Sequence, residues 1–88
     1  MYRVLLVDDE PIALDSLEYM LRKNRKDIEV VGKARSGRDA VEKAYNARPD
    51  IVLMDINMPG INGLEAVRRI KETNSSAQVI ITTAFDYF

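Results

Sequence analysis

Cysteine and histidine are both absent from this 88-residue sequence. That excludes disulfide stapling, the usual His and Cys zinc sites, and any Ser or Cys nucleophile activated by histidine. The charge is nearly balanced, with 13 Lys and Arg against 14 Asp and Glu for a net charge of -1. An electrostatic nucleic-acid footprint needs a basic excess, so direct nucleic-acid binding by this chain is not expected. Long apolar runs are lacking too. Val4-Leu5-Leu6-Val7 near the start is too short for a signal-peptide core or a membrane span, which makes a cytoplasmic location the default expectation. Finally, no Gly-rich turn follows this first run, so the usual cradle for a nucleotide phosphate is missing.

What is present is a 47% hydrophobic composition suited to one small folded domain. Four short apolar runs, Val4 to Val7, Ile28 to Val31, Ile51 to Met54 and Val79 to Ile81, read as strands. Three are continuous, as parallel strands covered on both faces would be. Ile28-Glu29-Val30-Val31 has a polar interruption that suits an edge. Between them lie helical patterns: Ala13, Leu17, Met20 and Leu21, then Ala40, Ala44 and Ala47, then Ala66, Val67 and Ile70. Pro11 fits a first helical turn, and Asn62 with Glu65 and Ser36 with Asp39 fit helix-start pairings. Pro49 and Asn74-Ser75-Ser76 break the second and third helices before the next strand. The strands recur every 23 to 28 residues, the period of βα units, which predicts an α/β fold with a parallel sheet. A fifth unit would begin beyond residue 88, so the expected domain, residues 1–88, reads as incomplete.

In such a sheet the ligand crevice lies beyond the carboxyl ends of the strands. Asp8-Asp9-Glu10 ends the first strand and Asp55-Ile56-Asn57 the third. If those strands are neighbours, Asp8, Asp9 and Asp55 converge and repel unless a cation neutralises them. Oxygen-only ligands favour a hard ion, Mg²⁺ before Ca²⁺. Either acid group taken alone is equally suited to a helix cap or turn. Acids at two strand ends, with Pro59-Gly60 and Asn62-Gly63 shaping the loop after Asp55, favour a functional pocket. With Mg²⁺ screening the charge, Asp55 is a candidate nucleophile toward a phosphoryl group. Thr82 and Thr83 close the fourth strand. Tyr19 and Tyr45 fall on helices, where packing is expected of them, and Arg22 to Lys26 complements the dipole of the first helix.

Val4-Leu5-Leu6-Val7-Asp8-Asp9-Glu10-Pro11, the run from Pro49 through Asp55 to Gly63, and Ile81-Thr82-Thr83-Ala84-Phe85 together resemble the receiver domain of two-component response regulators. The resemblance spans the whole chain. It implies a flavodoxin-like doubly wound sheet with strand order 2-1-3-4 and the fifth βα unit missing. It implies that Asp55 accepts a phosphoryl group from a histidine kinase. Mg²⁺ would be bound by Asp8 or Asp9, Asp9 being the more direct ligand, with Asp55 and the backbone carbonyl of Asn57. Thr83 would contact the phosphoryl group and move with its loop. The family's fifth-strand lysine and its aromatic switch residue have no counterpart here, and the output, often transcriptional, lies outside this chain.

Two other functions compete with the phosphoacceptor. One is a phosphorylation-independent interaction module that keeps the acid pocket only as structure. The other is an aspartyl phosphatase, disfavoured because Asp55 is followed by Ile56-Asn57 and not by a second Asp at the x+2 position. A bare fourth-strand edge and the stripe of Ala13, Leu17 and Leu21 on the first helix further predict self-association.

Overall fold

A computed structural model describes residues 1–55 and 63–82. Strand β1 (Tyr2–Val7) leads through α1 (Pro11–Asn24) to β2 (Ile28–Ala34), then α2 (Gly37–Ala47), β3 (Ile51–Asp55), α3 (Gly63–Thr73) and β4 (Gln78–Thr82). All neighbouring strands pair parallel, in the order β2-β1-β3-β4. The polar interruption at Glu29 therefore did mark an edge. Strand β2 runs longer than its apolar stretch, to Ala34, because its pairing with β1 continues past Gly32 and Lys33.

Period-two alternation sorts β1 onto two cores. Val4 and Leu6 face α1 and pack with Leu14, while Leu5 and Val7 pack with Ala40, Ala44, Val52, Met54, Ala66 and Ile70 beneath α2 and α3. Small residues dominate the inner stripe of α2, so that helix lies close to the sheet. Leu5 and Leu6 are fully buried. Truncating either to Ala would cost about 2–5 kcal/mol. Gly32 is a close-approach position, since a Cβ there would lie 3.2 Å from Leu5 Cδ1.

Local chemistry fixes the helix ends. Pro11 occupies the first turn of α1, as its missing N–H allows. Ser36 caps α2 by accepting a hydrogen bond from the Asp39 amide at 3.1 Å. At the other end of α2, Arg48 takes the left-handed conformation at φ 48° and donates its amide to the Ala44 carbonyl. Asn62, the expected start of α3, lies outside the described residues.

Two expectations need correction. The buried face of α1 is centred on Leu14, with Leu17 and Leu21 half-buried, whereas Ala13 and Met20 are exposed. Both stripes satisfy a helical period, and the three leucines bury more apolar surface against β1 and β2. Strand β4 is not covered on both faces, for Ile80 is 49% and Ile81 38% exposed. Helix α1 packs over β1 and β2 and makes no comparable contact with β4 among the described residues, which leaves the Ile80 face open. Tyr19 and Tyr45 are surface residues, and Lys23 Nζ stands 5.7 Å from the Tyr19 ring centroid.

Candidate functional site

The chain leaves β1 for β2 on one side and returns to β3 on the other, so β1 and β3 become neighbours and their carboxyl ends border the topological switch point. The register sets Val7 beside Met54. The next residues on each strand are Asp8 and Asp55. Asp9 follows at the entrance to α1.

These three acids do come together. Each of Asp8, Asp9 and Asp55 offers a carboxylate oxygen, and the three oxygens lie within 4.8 Å of one another. Asp55 is 4% exposed, while Asp8 and Asp9 are half-buried. Asp8 is anchored twice: its amide donates to the Ala34 carbonyl at 3.0 Å and its Oδ1 accepts from the Glu10 amide at 3.0 Å. The turn-forming role open to an Asp after a strand is thus real for Asp8, and it coexists with the cluster. Glu10, at the helix start, makes no side-chain cap.

Burial pushes the Asp8 carboxyl above its ordinary value of 3.8. The Glu10 amide pulls the other way, and the charges of Asp55 and Asp9 add to the rise. A pocket of this kind holds negative charge at a cost that a cation would remove. The donor set fits Mg²⁺ in its chemistry: every candidate ligand is a hard carboxylate oxygen, and the three are gathered within 4.8 Å of one another. On the β4 side, Thr82 pairs in register with Asp55, and its Oγ1 donates to the Met54 carbonyl at 3.3 Å. Asn57 and Thr83, the other two expected site residues, lie outside the described residues.

The response regulator receiver domain family matches this chain over residues 4–87. The chain belongs to the response regulator receiver domain family. It is 36% identical over 88 residues to the uncharacterized transcriptional regulatory protein YesN of Bacillus subtilis, covering all of this chain and 24% of that protein. It is 43% identical over 86 residues to a protein-glutamate methylesterase/protein-glutamine glutaminase of Methanospirillum hungatei, covering 98% of this chain and 24% of the relative. This receiver therefore spans about a quarter of the length of either relative. Among solved structures it is similar to the CheX-CheY-BeF3-Mg²⁺ complex from Borrelia burgdorferi, with a TM-score of 0.85, 30% identity, and coverage of 98% of this chain and 64% of that one.

Membership settles the broad class: the chain is a receiver domain of the phosphoacceptor type used in two-component systems. The fold agrees with the flavodoxin-like order expected from the sequence. No helix among the described residues is long and apolar enough to cross a membrane.

Proposed function

We propose that this receiver takes a phosphoryl group from a histidine kinase onto Asp55, with Mg²⁺ held by Asp8, Asp9 and Asp55. One observation carries the reading: a buried carboxylate and two half-buried ones converge at the carboxyl ends of adjacent strands. Asp55 is the acceptor because it alone ends β3, set opposite the acid pair that follows β1. Its carboxylate oxygen attacks phosphorus, a P–O bond forms, and the P–N bond to the donor imidazole breaks. When bound, Mg²⁺ supplies positive charge that offsets the negative charge of the acids and of the incoming phosphoryl group. Asp8 keeps the pocket in shape through its bond from the Glu10 amide, and Asp9 is the freer metal ligand. Asn57, through its backbone carbonyl, and Thr83, through its hydroxyl, complete the set that the family pattern implies.

The reaction belongs to the donor kinase and the acceptor together, so the chain is read as a signalling module and not as an enzyme. A cytoplasmic site of action follows from that partner. The output differs between relatives, one named as a transcriptional regulator and another as a methylesterase. The family's frequent transcriptional output is the reading retained for a longer parent.

The test is the intact mass after incubation with a small phosphodonor, with and without Mg²⁺. The expected result is one added phosphoryl group that requires Mg²⁺ and is lost in Asp55→Asn. Persistent Mg²⁺-dependent labelling of Asp55→Asn would move the nucleophile to Asp8 or Asp9. Stable, specific partner binding by the Asp55→Asn variant, with no labelling of the wild type under any condition, would favour the interaction module.

A further inference from the structure

Most cations among the described residues are held by a carboxylate, a main-chain carbonyl or a ring: Glu18 alone pairs with Arg22 and Lys33, and Glu65 with Arg68 and Arg69. Lys26, Arg35, Arg38 and Arg48 differ. All four are exposed, and among the described residues their side chains have no such partner.

Two of the four stand where a helix dipole favours a cation. Lys26 follows the end of α1, and Arg48 is the C-terminal cap of α2. The other two stand where it does not. Arg38 is the second residue of α2, and Arg35 immediately precedes the Ser36 cap. Positive charge at a helix start is unfavourable. Asp39, the acid of that first turn, does not offset it, because its carboxylate is turned to Lys43 Nζ at 3.2 Å. A local preference broken without compensation inside the fold points to a task outside it.

Their place in the sheet supplies that task. The register sets Val7 beside Ala34, and the Asp8 amide donates to the Ala34 carbonyl at 3.0 Å. Arg35 is the next residue. Its Cα is three covalent bonds beyond that carbonyl oxygen and so stands within about 7 Å of the Asp8 nitrogen. This is shorter than the Debye length, about 8 Å at physiological ionic strength. Arg38 lies in the first turn of the helix that starts at the same carboxyl end of the sheet, whereas Lys26 and Arg48 lie at its amino end.

The pocket of Asp8, Asp9 and Asp55 is acidic, and a phosphoryl donor is itself an anion. We propose that Arg35 and Arg38 form a positive lip on the β2 side of the pocket that draws doubly charged phosphoryl donors toward Asp55. This rests on the reading of Asp55 as acceptor. The two arginines act through their field, raising the local concentration of the donor, and take no part in the bonds that form and break.

The test is the rate of Asp55 labelling at saturating Mg²⁺ and low salt with two donors. Acetyl phosphate is a dianion near neutral pH and releases acetate, whereas phosphoramidate carries one net negative charge and releases ammonia. In each, the Asp55 oxygen bonds phosphorus as the bond to the leaving group breaks. Replacing both arginines, Arg35→Gln with Arg38→Gln, should slow acetyl phosphate about tenfold. Phosphoramidate should slow only about threefold, since the interaction scales with the charge of the donor. Added salt should narrow both gaps. Arg35→Lys with Arg38→Lys keeps the charge and should keep the rate. Lys26→Gln with Arg48→Gln makes the same change in net charge at the far end of the sheet and should leave the rate near that of the wild type. Arg38→Gln should melt no lower than the wild type, because it removes a cation from a helix start.

A glutamine double variant as fast as the wild type would overturn the proposal while leaving Asp55 as acceptor. Equal slowing of both donors would do the same, by showing a distorted pocket in place of a lost field. So would equal slowing in the Lys26 and Arg48 control, or a lysine pair as slow as the glutamine pair. A wild type that neither donor labels would remove the Asp55 reading itself, and this inference with it.

Discussion

Arg3 and Asp50 bind each other's main chain at the amino ends of β1 and β3: the Arg3 amide donates to Asp50 Oδ2 at 2.8 Å, and the Asp50 amide donates to the Arg3 carbonyl at 2.8 Å. The Arg3 guanidinium also reaches the carbonyls of Ala47 and Arg48, where α2 ends. One β1 residue therefore satisfies the last carbonyl of α2 and that of its cap Arg48, and pairs with the residue just before the strand that carries Asp55. Arg3→Met keeps most of the apolar stem and removes these donors from the negative end of the helix. It should cost about 1–2 kcal/mol in urea unfolding with the denaturant slope unchanged. A midpoint equal to that of the wild type would show that water replaces the guanidinium without loss.

A second polar anchor is buried. Asn74 donates from Nδ2 to the carbonyl of the buried Pro49 at 3.1 Å and accepts from Ser76 Oγ at 3.2 Å. Asn74→Ala leaves the Pro49 carbonyl without its donor and should cost about 1–3 kcal/mol, whereas Ser76→Ala loses only an exposed partner and should cost less. The comparison of the two midpoints by thermal unfolding is decisive. Equal costs would mean that the Asn74 bond is not the anchor.

Sequence reasoning reached these features unevenly. The α/β class was legible from apolar runs with a βα period, whereas the strand order came from the family resemblance, and the meeting of Asp8, Asp9 and Asp55 followed only if β1 and β3 were neighbours. Leu14 was missed because Ala13 and Met20 fit the same helical period, and only packing against Val4 and Leu6 decides between the stripes. The roles of Asn74 and Arg3 were also invisible, since each bonds main-chain groups at least 25 residues away, and no local pattern encodes such a partner. The exposure of β4 could not be read from its composition: Val79-Ile80-Ile81 has the same apolar run as a covered strand.

The Lys33 cluster gives a pH dependence. Hydrogen bonds from Lys33 and then Arg22 hold the Glu18 carboxyl below its ordinary value of 4.5. A carboxylate lowered on folding adds stability that is fully present above its unfolded value and is lost as pH falls through the folded one. Lys33 is the mirror case, raised from 10.5 by Glu18 and Asp15, so its contribution is lost as pH rises through its folded value. Lys33→Met should therefore lower the thermal midpoint by a similar amount across the neutral range. The gap should narrow below about 4.5 as Glu18 takes up its proton. Added salt should narrow it as well, because the groups are solvent-facing. A gap that grows on acidification would mean that Lys33 acts through something other than these carboxylates.

Metal binding should be visible as stability before any phosphoryl transfer. A cation that binds only the folded state raises stability by RT ln(1 + [L]/Kd), about 1.4 kcal/mol at ten times Kd. Wild-type protein should thus gain thermal stability from millimolar Mg²⁺, a plausible range for a site of about three carboxylates that leaves several waters on the ion. Asp9→Asn should lose most of that gain. In chelator it should be at least as stable as the wild type, because one of the mutually repelling charges in the pocket is gone. Asp8→Asn differs in a second respect. It also weakens the acceptor for the Glu10 amide, so part of its effect should persist in chelator, where the metal plays no part. Equal Mg²⁺-dependent gains in the wild type and both variants would show that the ion binds elsewhere and that the convergence of the three acids does not make a metal site.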